Sequence, residues 1–150
     1  ADQSGMSDTI FPRSPRETMV GWIYLPRLID KIRLNLAGKL HEDYLPNFIH
    51  RGFDAKWFET TAVDPDEFTA LVADSDTDGQ VADWVRHNVN ARLEPAVPSD
   101  FNDAVGNYGS DEANADLRFR LAQRKEAAGF GNRNVIQCFV DFIDADEGRL

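Results

Sequence analysis

Cysteine is nearly missing from this chain of 150 residues: Cys138 is the only one. One thiol cannot close an internal disulfide. It also stands inside the apolar run 135–140, so a reducing, cytoplasmic setting is expected. No run approaches the roughly 18 apolar residues of a membrane span, and no membrane partner is expected. Histidine is scarce. His41, His50 and His87 are all there are, none in an H-E-x-x-H or other close metal spacing. The nucleophile elbow G-x-S-x-G, the Walker loop and the dinucleotide fingerprint are absent as well. No metal and no cofactor are therefore expected. The catalytic residues, if there are any, stay unassigned, and whether the protein is an enzyme stays open.

Lysine is scarce too, at 4 against 12 arginines, while aspartate is abundant, at 18 against 8 glutamates. The net charge of -10 argues against nucleic acid as a partner, because a phosphate backbone is held through excess positive charge. Excess carboxylate with little lysine suits a salty environment, where screening relieves self-repulsion, or simply reflects genome base composition. Hydrophobic residues reach 42% and aromatics 11%, a globular composition in a chain long enough to bury a core.

The chain is organised around residues 24–40. Leu25, Leu28, Ile29, Ile32, Leu36 and Leu40 recur at helical spacing, Pro26 suits a first turn and Gly38 suits an end. Leu34 points away from this stripe, with Arg27 and Asp30 beside it, so the helix is expected to be sandwiched between neighbours.

Before it, residues 14–17 (Ser-Pro-Arg-Glu) read as a capping box that opens a short helix carrying Met19, Val20 and Trp22. After it, helices are expected near residues 53–60, 65–72, 80–88, 100–105, 111–128 and 134–143, with residues 94–99 as a linker. The run 135–140 is where a strand would hide. The expected fold is all-α: a compact single-domain bundle of about six or seven helices around a central helix near residues 25–38. That domain covers residues 13–150. Residues 1–12 are expected to be a disordered tail, partly left over from expression, with Met6 as the natural start. They show neither the basic nor the apolar region of a signal peptide.

Residues 74–79 (Asp-Ser-Asp-Thr-Asp-Gly) resemble the start of a calcium loop, but the twelfth position, which needs a bidentate Glu, is Val85. A helix cap from Asp76 or Asp78 is the preferred reading. Cys138 is expected to be an inert buried thiol. On the central helix, Asp30 has Arg27 three residues before it and Arg33 three after, with Lys31 on another flank. These charges either fix the packing as ion pairs or hold an anionic ligand in a cleft.

Several segments carry a resemblance to a known family. They are Arg13-Ser-Pro15, residues 28–33 (Leu-Ile-Asp-Lys-Ile-Arg) and 37–40 (Ala-Gly-Lys-Leu), Asp43-Tyr44, Asn47, residues 52–54 (Gly-Phe-Asp), Val63-Asp64 and residues 142–149 (Phe-Ile-Asp-Ala-Asp-Glu-Gly-Arg). In this order and spacing the chain resembles the bacterial proteins grouped as DUF5069, a domain of unknown function. It departs from them at Pro46, where His is frequent, at Lys56, where Arg is, and beside Gly21, where a second glycine is.

The resemblance implies no activity. It directs attention to Arg27, Asp30, Lys31 and Arg33, to Tyr44, Asn47 and Asp54, and to Asp144, Glu147 and Arg149 as ligand-binding candidates, should these segments meet. Two roles remain. The preferred one is structural or protein-interacting, with buried ion pairs; the other is a binder or enzyme for an anionic metabolite, using a polar pocket beside the central helix.

Overall fold

The computed structural model describes residues 9–150, so most of the tail expected at residues 1–12 lies outside the described residues. A hairpin of β1 (Thr18–Met19) and β2 (Trp22–Ile23) comes first. It leads into α1 (Leu25–Leu36), a 3-10 segment (Glu42–Asn47), α2 (Gly52–Thr61), α3 (Pro65–Asp74) and α4 (Asp78–Asn88). A second 3-10 turn (Asn90–Arg92), α5 (Ala96–Gly106), α6 (Ala115–Ala127) and α7 (Phe139–Asp146) complete it. The architecture is mostly helical, with seven α-helices and one small antiparallel hairpin among the described residues. None of these helices is long and apolar enough to cross a membrane.

The first turns of α1 are buried on every side. Leu25, Leu28, Ile29 and Ile32 are inaccessible to solvent, and Arg27 and Lys31 are buried beside them, as expected of a sandwiched helix. The sandwich ends early: Leu36, assigned to the same apolar stripe, is half exposed. The core is aromatic. Trp57 lies edge-on to Trp22 at 5.9 Å and against Phe68 at 5.0 Å, and Trp22 meets Phe101 at 5.4 Å. Such pairs add about 0.5–1.5 kcal/mol each beyond the area they bury. A second, smaller cluster of Leu121, Ile136, Phe142 and Ala145 joins α6 to α7.

Four sequence expectations give way to other structure. The helix after Ser14 does not form. Ser14 instead closes a turn by accepting from Glu17 N–H at 3.1 Å, and the hairpin follows. Val20 (φ 45°) and Gly21 (φ 89°) both turn left-handed, as the tightest hairpin turns require. Asn90 holds this turn through the Val20 carbonyl and the Trp22 indole, and Asn102 holds it through Gly21 and Ile23. The expected linker 94–99 belongs largely to α5, whose first turn tolerates Pro98 because that N–H has no helical partner. α6 begins later than expected, at the Asn114 cap. The last helix starts at Phe139 rather than 134, leaving Val135 exposed in the loop.

The start of α4 resolves the calcium-like segment. Thr77, not Asp76 or Asp78, is the N-cap, and it forms a reciprocal capping box with Gln80. Val85, at the position a bidentate ligand would take, is fully buried. Replacing Thr77 with Ala should cost about 1 kcal/mol in urea unfolding, the value of an exposed cap, with no change in cleft binding.

Candidate functional site

Tyr24, at the N-cap of α1, and Arg27 and Lys31 on that helix form the floor of an open cleft of about 1130 Å³. The 3-10 segment forms one wall, and α6 and α7 form another. Two buried ion networks lie under this floor.

In the first, Lys31 Nζ donates to Asp54 Oδ1 at 3.0 Å, to the Asn47 carbonyl at 3.0 Å and to the Tyr24 hydroxyl at 3.4 Å, which uses all three of its protons. Tyr24 donates to the same Asp54 oxygen at 2.5 Å, and the other oxygen accepts from Ile49 N–H at 2.9 Å. Tyr24 sits in the left-handed region (φ 72°), a strained position held by this network and by burial. Burial lowers the Lys31 ammonium below its ordinary value, although Asp54 opposes the shift. Burial and Asp54 together raise the Tyr24 phenol well above its own.

In the second, the Arg27 guanidinium grips Glu147 with two bonds of 2.9 and 2.7 Å and donates to the Arg13 carbonyl at 3.1 Å. Tyr44 O–H and Arg149 complete the carboxylate's shell at 2.7 and 2.6 Å, and Arg27 lies over the Tyr44 ring. Burial opposes ionisation of Glu147. The hydrogen bonds from Arg27, Tyr44 and Arg149 outweigh it and hold the carboxyl below its usual range. Tyr44 is raised by burial and by its bond to Glu147. Arg149 also reaches Asp144 and the Pro12 carbonyl, and Ser14 donates to Asp144, so the N-terminal strap is pinned to α7.

Of the predicted site residues, Arg27, Lys31, Tyr44, Asn47 and Glu147 line the cleft. Asp54 is sealed behind Lys31, while Asp144 and Arg149 serve the strap. Asp30 and Arg33 do not line the cleft; they belong to a third, partly exposed ion network, and neither pairs with a neighbour on its own helix. Asp30 is held by Arg13 through bonds of 2.9 and 3.0 Å, and Asp78 bridges Arg13 and Arg33 at 2.9 and 2.6 Å.

Sequence reasoning passes over Tyr24, which is buried at the centre of a network, and the cleft-lining Arg120 and Arg124 of α6. In the sequence the two arginines read as the later, basic part of a helix whose acids come first, an order that suits the helix dipole. Arg124 stacks on Phe142 at 5.4 Å, and neither has a carboxylate partner among the described residues. His41 caps the 3-10 segment by accepting from Asp43 N–H at 3.1 Å. Cys138 is buried, donates weakly to the Gly106 carbonyl at 3.4 Å, and has its thiol pushed up by burial. No group of three or more His, Cys, Asp or Glu among the described residues is arranged to hold a metal ion.

A mostly helical domain with an open cleft over a buried ion network is thus the class that fold and site define. Residues 9–149 match the family model DUF5069, a domain of unknown function, and the chain belongs to that family. No curated protein matches it.

Proposed function

We propose that the domain is a binding module. Its cleft receives a molecule with negative charge and an apolar body, and the networks beneath build the floor rather than carry out chemistry. The observation behind this reading is the pair Arg120 and Arg124, cations on the cleft wall without carboxylate partners among the described residues, in a chain of net charge -10. Residues 115–133 carry five basic and two acidic side chains, so the α6 region is positive while the rest of the protein is strongly negative. A cation cluster of this kind attracts anions and orients them on approach.

Binding is favoured over catalysis because the floor has no idle acid or base. Lys31 has all its protons engaged, Glu147 accepts from three side chains, and both phenols are raised rather than activated.

Anilinonaphthalene sulfonate, an aromatic anion whose fluorescence rises in apolar surroundings, tests the reading. Native protein should bind it saturably. The double variant Arg120→Ala/Arg124→Ala should bind about tenfold more weakly or worse, since a charge-assisted contact contributes about 1.5–3 kcal/mol. Both side chains are exposed on α6, so the thermal midpoint should stay within a few degrees. Unchanged affinity in the double variant would remove the cleft from the account.

A further inference from the structure

The identity of the occupant rests on the binding reading above. A row of rings borders the cleft: Tyr24 meets Phe53 at 5.6 Å, Phe53 meets Tyr108 at 5.5 Å, and Tyr108 meets Phe139 at 5.5 Å. Large apolar side chains stand open to solvent around the same cleft. Phe11 is 44% exposed, Tyr108 39%, and Leu45, between the lining residues Tyr44 and Pro46, 52%. Exposed aromatic surface gathered at a cleft marks a place where another molecule docks.

Size and charge narrow the choice. About 1130 Å³, open along one side, lies above the roughly 300–1,000 Å³ typical of small-molecule pockets. The lining also differs in sign from place to place. The α6 part of one wall presents Arg120 and Arg124, whereas the carboxylates Glu42 and Asp43 come from the 3-10 segment and Asp146 from the end of α7. A nucleic acid strand carries a charge on every unit and would bring phosphates against those carboxylates. A polypeptide can place its acids along one edge and neutral amides along the other.

We infer that the cleft binds an extended acidic peptide segment of a partner protein, with its acids on Arg120 and Arg124 and an aromatic or aliphatic side chain against the Tyr108 row. Recognition of acidic motifs by arginine clusters is an established mode of peptide binding, and aromatic anchors supply most of the energy at such sites. The carboxylates of Glu42 and Asp43 set the direction in which the segment lies, by repelling acids from their side.

Fluorescence anisotropy with two labelled peptide pools of about ten residues decides the matter. Both pools carry Phe, Tyr, Trp or Leu at a central position; one has Asp and Glu elsewhere, the other Gln and Ser. The acidic pool should bind, displace anilinonaphthalene sulfonate, and weaken as salt rises. Arg120→Glu/Arg124→Glu should weaken it by about thirtyfold or more, the loss expected when a hot spot is removed. Phe11→Ala, at an exposed position, should weaken it with the fold intact.

If the sulfonate binds but the acidic pool does not, or binds no better than the neutral pool, the peptide inference fails and the cleft reading survives. A single-stranded oligothymidylate that outcompetes the acidic pool also overturns it. If neither the sulfonate nor any peptide binds, both readings fall together.

Discussion

Replacing Asp54 with Asn should destabilise the protein by about 3–5 kcal/mol, the cost of removing one partner from a buried pair. Asp54 has no solvent exposure and accepts from Lys31, Tyr24 and Ile49 N–H. The amide keeps the shape but leaves the Lys31 charge uncompensated. It also sets its N–H₂ either against Ile49 N–H or against the Tyr24 and Lys31 donors. Urea unfolding measures the loss. The pH dependence of the loss identifies its cause. Lys31 is already held below its ordinary value in the wild type by burial, with Asp54 opposing that shift; without Asp54 it falls further. A lysine whose folded value is depressed binds fewer protons folded than unfolded, so stability rises with pH from the folded value up to the unfolded one at about 10.4. The Asp54→Asn variant should therefore recover stability on going from neutral pH towards about 10 more steeply than the wild type. Parallel pH profiles would show that Lys31 is not the group left stranded.

Glu147→Gln should cost a comparable amount, about 3–5 kcal/mol, because it leaves Arg27 buried against a neutral acceptor. Arg27 is only 4% exposed, and its guanidinium shares two bonds with the carboxylate. The double replacement Arg27→Met/Glu147→Leu should recover much of the loss, since a buried pair exchanged for packed apolar groups is often close to neutral. Acid titration gives an independent readout. Burial disfavours the Glu147 charge, but its three donors hold the folded carboxyl below 4.5. Its contribution is thus complete above that pH and fades as pH falls through the folded value. Asp78 and Asp141 are lowered as well, despite burial, by Arg13 and Arg33 and by Gln137 N–H and Arg16 respectively, so the wild type loses stability in acid through several carboxyls. The Glu147→Gln variant should show a shallower acid decline, and an equal slope would mean that Glu147 does not titrate in that range.

These two pairs show how far sequence reasoning reaches. Helix limits set by local chemistry were legible: Asp64 caps α3 by accepting from Glu67 N–H, Gly38 turns left-handed just past α1, and Gly129 does so past α6. The hairpin at Thr18–Ile23 was not, because the side chains that hold it, Asn90 and Asn102, come from far along the chain. The charges of α1 follow the same division. Spacing puts Arg27 and Arg33 within reach of Asp30 and leaves pairing within the helix or with other segments open; in the fold each takes a distant carboxylate, Glu147 or Asp78, and Asp30 goes to Arg13. An i,i+3 pair on an exposed helix contributes only about 0.2–0.5 kcal/mol, so a buried bidentate partner readily displaces it. Arg120 and Arg124 looked like ordinary dipole complements, and only the position of α6 beside α1 makes them cleft walls.

By itself the sequence determined a mostly helical, strongly acidic chain with an aromatic core and a buried central helix, since hydrophobic spacing, caps and composition act over a few residues at a time. Only the tertiary structure decided which carboxylate neutralises which cation, that the segments around residues 27–33, 44–54 and 144–149 meet, and that an open cleft lies above them with two arginines that have no carboxylate partner among the described residues. The physical reason is that charge pairing in a desolvated interior is settled by through-space geometry and burial, and neither quantity is written in the spacing along the chain.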